Sequence, residues 1–334
     1  MVSIAIVGAG LAGVSAARAL TAEGLAVTVF DRGRAPGGRC SSRSSRAGTF
    51  DHGAQYFTAR DARFIHIVQA LEQRGIVQPW QGRLARLTDA GIAECENDRP
   101  RYVGVPDMRA LVRGVAGTLD ITSATRIARA HPSAHGWALA DETGFELGEY
   151  DALLLATPAE QARPLVPRGS LLYPSLHSTR SAPCWALMLA FDSDLDLDFD
   201  AAFVEHPDIA WIARDSSKPG RAPGARWVVH ATPAWSAARH GMSADEVADA
   251  MTASFFAVTA ITPTLPRHAE AHRWALARPI VGSACGSLWD DDLRLALCGD
   301  WCVGPRLEDA YLSGLAAARR LADEFLPRRR SSAA

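Results

Sequence analysis

The sequence predicts an α/β protein: a doubly wound parallel sheet into which a strand-rich α+β domain is inserted. Three observations carry this. A strand–helix–strand unit fills the start of the chain. Buried apolar strands return at 151–156 and 294–298, the second followed by a long helix. Between them, residues 165–280 change character, with six of the nine tryptophans lying from Trp185 to Trp289. Strand–helix alternation indicates parallel βαβ winding, and dispersed short strands indicate the inserted α+β part.

The elements follow in order. Residues 2–7 (Val-Ser-Ile-Ala-Ile-Val) read as a buried parallel strand. Residues 11–23 read as a helix with small residues Ala12, Gly13, Ala16 and Ala17 on the side that could meet a sheet, and 26–31 as the second strand. Residues 32–48 are rich in Arg, Ser and Gly and read as a loop. Helical periodicity returns at 60–74; 82–95 reads as a hairpin or two short strands; a helix starts near Pro106. Strands are expected at 119–129, 136–141, 144–148 and 151–156, the last stopped by Thr157-Pro158. The insert shows one clear helix, at 243–257. The end gives strand 294–298, turn 299–306 and helix 307–325. The expected division is a discontinuous nucleotide domain of 1–60, 101–162 and 281–326, a substrate domain of 61–100 and 163–280, and an unstructured basic tail at 327–334.

Composition narrows the function. The 334 residues suggest about two domains. With 48% hydrophobic and 22% charged residues the chain is not a disordered one. Thirty-five basic against 37 acidic residues leave a net charge of −2, so no basic field asks for nucleic acid. Lys218 is the only lysine, a bias that a GC-rich genome explains. Six scattered cysteines without a CxxC pair argue against a disulfide framework or zinc site and fit a reducing cytosol. No apolar run reaches the ~18 residues of a membrane span. The apolar N-terminus lacks the basic start of a signal peptide. A cytoplasmic protein is expected. No Gly-x-Ser-x-Gly elbow occurs, and His131 and His135 sit in a turn unsuited to a metal pair, so no metal is expected.

Three motifs carry chemistry. The first is Gly8-Ala9-Gly10-Leu11-Ala12-Gly13, between strand and helix, with Asp31 ending the next strand. Gly8 permits the tight turn, Gly10 lets backbone approach a pyrophosphate, and Gly13 lets helix and strand pack. The helix N-terminus offers N–H groups to phosphate, and Asp31 can accept from a ribose diol. This is a Rossmann-like dinucleotide fingerprint. The second motif, Gly37-Gly38-Arg39-Cys40, follows Asp31-Arg32 closely. It reads as a loop folding back over the same pyrophosphate with Arg39 as counter-ion, and it points to FAD rather than NAD. The third is Cys298-Gly299-Asp300-Trp301, then Glu308-Asp309-Ala310 opening the last helix. Here Asp300 would bind ribityl or phosphate oxygens, and the helix N-terminus would favour negative charge on a reduced flavin.

These motifs, with Ala156-Thr157-Pro158 after a strand, resemble the FAD-containing amine-oxidase superfamily over nearly the whole chain. More narrowly, Gly38-Arg39-Cys40-Ser41-Ser42, Asp51 to Asp61, Ser217-Lys218-Pro219-Gly220-Arg221, His272-Arg273-Trp274 and Cys298 to Cys302 resemble the bacterial renalases. Cys40 departs from that pattern, where methionine would be expected. The resemblance implies noncovalent FAD and oxidation of isomeric dihydro-NAD(P), chiefly the 1,2-dihydro form. NAD(P)+ results, and oxygen reoxidises the flavin with release of hydrogen peroxide, a metabolite-repair role. It also implies adenine contact near Ile127, closure of Ala156 and Thr157 over the cofactor, and passage of Gly53, Ala54, Gln55 and Tyr56 beside the flavin. Loss of hydride makes a dihydropyridine aromatic, so such a pocket must position the ring rather than supply a strong base. The candidates for that pocket are Tyr56, Phe57, Thr58, Trp211, Arg214, His230, His272, Arg273 and Trp274, the arginines because NAD(P) brings a pyrophosphate to neutralise. Two other readings stay open: an amine or polyamine oxidase, in which Lys218 would hold a water at the flavin, and an FAD protein that binds without turnover.

Overall fold

The computed structural model describes residues 1–95 and 99–326. The expected basic tail, 327–334, lies outside the described residues. The chain divides into two compact units, one of Met1–Gly38, Val112–Ser181 and the residues from Pro279 on, the other of Arg39–Leu111 and Ala182–Arg278. The division differs from the expected one at its junctions. Residues 39–60 and 101–111 join the second unit, and 163–181 the first.

The first unit is built on a six-stranded sheet in the order Leu288–Asp290, Leu295–Leu297, Ala152–Leu155, Ser3–Val7, Ala26–Phe30, Ile121–Thr122. All neighbours are parallel except the first pair. Its central strands are buried along their length, which is why they read as continuous apolar runs without alternation. Two helices, Leu11–Ala22 and Leu307–Phe325, pack on each other through small residues. A Cβ on Gly314 would lie 2.1 Å from the Ala12 carbonyl oxygen, and the Ser15 hydroxyl donates to the Tyr311 carbonyl at 3.1 Å. The antiparallel sheet Ile127–Ser133, Gly136–Asp141, Glu146–Tyr150 completes this unit.

The second unit holds a seven-stranded sheet in the order His268–Val281, Arg180–Phe191, Ala225–Ala231, Ile209–Arg214, Ala201–Val204, Leu84–Thr88, Gly91–Glu94. Alternation gives it two distinct faces. Trp185, Leu187, Leu189, Ile212, Trp227 and Val229 form one, in a core with Met251, Phe255 and Phe256 of the helix Ala244–Thr259. That helix starts with a capping box in which Ser243 and Glu246 satisfy each other's backbone N–H. On the opposite face Met188, Ala190 and Val228 pack with Ala47 and Phe50. Ala47 lies in, and Phe50 just beyond, the segment 32–48 expected to be a loop, which overlaps the hairpin Arg43–Ser45/Gly48–Phe50. Its short strands lack the apolar run that would mark them, and their pairing is a local turn event.

Candidate functional site

In the first unit, four parallel strands end at one level. Val7 pairs with Phe30 on one side and Leu155 on the other, and Leu155 pairs with Leu297. The residues that follow are Gly8, Asp31, Ala156 and Cys298, so the first and third sequence motifs and Ala156-Thr157 meet at the carboxyl edge of one sheet, where open α/β sheets bind ligands. Gly8 has φ +110°, and a Cβ there would lie 2.8 Å from the Ala156 oxygen. A Cβ on Gly13 would lie 1.8 Å from the Gly8 oxygen. These two glycines are required by the fold itself. Gly10 differs: its φ is −75°, and a Cβ there meets nothing within 4 Å. Gly38, at φ +54°, packs on Gly10, its Cβ position 3.2 Å from the Gly10 Cα, so the second motif does fold back onto the first.

Asp31 accepts from the Ala9 N–H at 2.5 Å and the Gly33 N–H at 2.6 Å, one carboxylate oxygen each. Leu11 and Ala12 are buried in the helix; Arg32 is exposed. Ile127 begins the edge strand of its sheet, with its side chain in the core. The Thr157 hydroxyl is buried with no hydrogen-bond partner among the described residues, while the Thr157 carbonyl accepts from the Trp301 indole at 3.1 Å. Gly299, at φ +153°, has its N–H held by the Ser313 hydroxyl at 2.9 Å, and Asp300 is buried beside it. The last helix differs in detail from expectation. Asp309 is taken by Arg306 (backbone N and Nε at 3.0 Å, Nη2 at 2.8 Å), Glu308 is buried near Arg306, and the Ala310 N–H already bonds the Arg306 carbonyl. The Asp309 and Glu308 carboxylates lie in the first turn beside Arg306, where they partly offset the helix dipole.

In the second unit the sheet face opposite the helix Ala244–Thr259 gathers aromatic side chains. His52 is buried with its ring 4.7 Å from His272 and 4.9 Å from Trp274, centroid to centroid. The His52 carbonyl accepts from the Trp274 indole at 3.0 Å and from His230 Nε2 at 3.2 Å. Trp211 lies opposite His230 in register and 5.5 Å from the Tyr56 ring. Gly53 is held by backbone: its Cβ position lies 2.1 Å from the Arg39 oxygen, which accepts from Ala54 N–H. Arg39 itself donates to the Ala277 carbonyl at 3.3 Å. Burial holds the His52 imidazole down at about 3, helped by His272 and Arg43, and burial holds His230 at about 4. His272 is lowered too, by burial and Arg43. At neutral pH these imidazoles are uncharged. Burial also lifts the Cys40 thiol to about 12, so it is not a nucleophile at neutral pH.

Three pocket candidates are corrected. Strand residues alternate between faces, so Arg214 cannot share the face of Trp211, nor Arg273 that of His272 and Trp274. Arg214 lies 5.1 Å over Trp227 in the core, with its Nη2 on the Leu197 carbonyl. Arg273 lies 6.0 Å over Trp185 and donates to the His240 carbonyl. Phe57 is a core residue between Phe64 and Tyr102. Thr58 is partly exposed.

Sequence reasoning also missed a buried charge cluster beside this face. The Lys218 ammonium, 0% exposed, donates to Asp215 at 2.7 Å, Gln55 at 3.2 Å and Asp51 at 3.4 Å. Arg221 pairs with the same Asp51 and donates to the Gly104 and Pro219 carbonyls. The other Asp51 oxygen accepts from the Ser42 hydroxyl at 2.8 Å and Met108 N–H at 2.9 Å. Burial alone would raise the Asp51 carboxyl, but Lys218 and Arg221 outweigh it and hold the group at about 2; burial raises Asp215. Two cations and two carboxylates cancel, as a buried cluster requires. One signal could have found it: a single lysine kept in a chain that otherwise uses arginine.

The comparisons with known proteins agree with this arrangement. A family model described as NAD(P)-binding Rossmann-like domain matches residues 6–71, and one described as flavin containing amine oxidoreductase matches 92–322. The chain belongs to the flavin-containing amine oxidoreductase family. Solved structures share the fold at low identity. A putative protoporphyrinogen oxidase from Exiguobacterium sp. 255-15 superposes with TM-score 0.77 at 14% identity, over 96% of this chain and 98% of that one. Cyclohexylamine oxidase from Brevibacterium oxydans IH-35A gives 0.74 at 12%, over 97% and 99%. Putrescine oxidase bound to putrescine gives 0.68 at 13%, over 96% and 98%. As a member of this family the protein is an FAD-dependent oxidoreductase. The first unit fits that cofactor. The open space over Gly10 suits a pyrophosphate, and the orphaned Thr157 hydroxyl supplies an unused hydrogen bond. Among the described residues no cluster of three or more His, Cys, Asp or Glu could hold a metal ion, and no helix is long and apolar enough to cross a membrane.

Proposed function

We propose that this flavin oxidoreductase is a renalase-type oxidase. It takes hydride from isomeric dihydro-NAD(P), chiefly the 1,2-dihydro form, onto FAD, and oxygen then regenerates the cofactor with release of hydrogen peroxide. The observation that carries this reading is a wall of uncharged rings in the second unit, with Arg43 at its edge, 3.5 Å from His272 Nδ1. His52 and His272 pack on Trp274, His230 shares the His52 carbonyl with it, and all three are held uncharged, His52 at about 3 and His230 at about 4. An N-substituted dihydropyridine loses hydride and no proton, so a wall of uncharged rings that orients it is sufficient. In this reading Tyr56, Trp211, His230, His272 and Trp274 orient the nicotinamide ring, and the glycine-rich turn with Asp31 and the Gly299-Asp300 motif hold the cofactor.

Oxidation of an amine, named in two of the similar structures, makes a different demand. An amine enters as ammonium and must lose a proton. The one lysine of this chain has all three N–H donors committed to Asp215, Asp51 and Gln55, so none remains to hold a water at a flavin. The test is product analysis of aerobic turnover. Dihydro-NAD(P) isomers should yield NAD(P)+ and peroxide in equal amounts, with putrescine and cyclohexylamine inert. Peroxide from an amine, with none from the isomers, would replace this reading with an amine oxidase.

A further inference from the structure

The buried lysine has an assignable task. Residues 51–55 form a turn tied at both ends: Lys218 donates to the Asp51 carboxylate and to Gln55 Oε1, and Gln55 Nε2 donates back to the Asp51 and Gly53 carbonyls. Arg221 and the Asp215 carboxylate, which accepts the Asp51 N–H at 3.4 Å, hold the same end. Between the tied ends sit His52, whose carbonyl takes the Trp274 and His230 N–H groups, and Gly53, whose Cβ position is 3.3 Å from the Trp274 ring. Asp51 and Lys218 are 167 residues apart, so the ion pair joins two distant segments beneath one aromatic face.

We propose that Lys218 is a positioning residue. It fixes the 51–55 turn and so sets His52, His230 and Trp274 for the substrate, without acting on the cofactor or oxygen. The link to substrate rests on the dihydro-NAD(P) reading; the link from Lys218 to Trp274 does not. Nothing in it requires Lys218 to reach solvent, and its fully buried ammonium matches such a role.

The experiment compares the full-length holoprotein with Lys218→Met and with the charge-balanced pair Lys218→Met/Asp215→Asn. The pair is included because the single change leaves an uncompensated buried carboxylate. Two quantities are read. One is hydrogen exchange of the Trp274 indole N–H by NMR, assigned with Trp274→Phe. The other is the rate of anaerobic reduction by dihydro-NAD(P) isomers set against the rate of reoxidation by oxygen after dithionite reduction. In the folded variant the indole should exchange at least tenfold faster and reduction should slow about tenfold, with reoxidation within about twofold of wild type. Unchanged indole exchange, unchanged reduction, or slowed reoxidation would each overturn the proposal. If the isomers fail to reduce even the wild type, the substrate reading falls, and indole exchange still decides whether Lys218 positions the turn.

Discussion

Gly10→Val separates the cofactor's demand on the glycine-rich turn from the fold's demand. At φ −75°, ψ 178°, Gly10 occupies ordinary extended backbone, and its Cβ position faces open space. The variant should therefore cost the apoprotein at most about 1 kcal/mol, from the poorer cap preference of an apolar residue. Gly13→Ala is the opposite case, because its methyl would stand 1.8 Å from the Gly8 oxygen and the helix must move. Overpacking of this kind costs about 1–3 kcal/mol or more, which lowers the melting temperature by several degrees. The isopropyl group at position 10 would fill the space assigned to the pyrophosphate, and a loss of at least 100-fold in FAD affinity, about 2.7 kcal/mol, is expected. The assay is flavin absorbance after desalting, beside thermal unfolding of both apoproteins. Full FAD occupancy in Gly10→Val, or an apoprotein as destabilised as Gly13→Ala, would refute the reasoning.

Two further predictions concern the second unit. His52 and His230 titrate at about 3 and 4 when folded, below the ~6.5 of an exposed histidine, so their neutral-state stability is complete above pH ~6.5 and declines as pH falls toward those values. At pH 5 each should cost about 2 kcal/mol relative to pH 7. His230→Gln should reduce the acid loss of stability by that amount in denaturant unfolding, and an unchanged loss would contradict it. Asp51, held at about 2, stays ionised through this window. Arg273→Ala should leave KM for the proposed dihydro-NAD(P) substrate within about twofold, whereas Trp274→Leu should raise it about tenfold or more; equal effects would mean the face assignment is wrong.

The nucleotide half of the protein was legible because its logic is local. Strand, glycine turn, helix and Asp31 lie within a short span, and Gly8 and Gly13 answer steric needs of the fold. The second unit was legible only in part. His272 and Trp274 do share one sheet face, but choosing Arg273 with them ignored the two-residue period of a strand. Arg214 failed for the same reason. The charge cluster escaped because Asp51 and Asp215 are 164 residues apart. Charged side chains are ordinarily solvated, and only tertiary pairing shows that these are not. The unit boundaries were missed where residues 39–60 take their partners from distant strands, which no local pattern encodes.

Anaerobic titration of the yellow holoprotein tests the central claim most directly. Dihydro-NAD(P) isomers, authentic β-NADH and a panel of amines would be added separately while flavin absorbance is followed. The account predicts stoichiometric bleaching by the isomers, with β-NADH and the amines without effect. Bleaching by an amine and not by the isomers would contradict it.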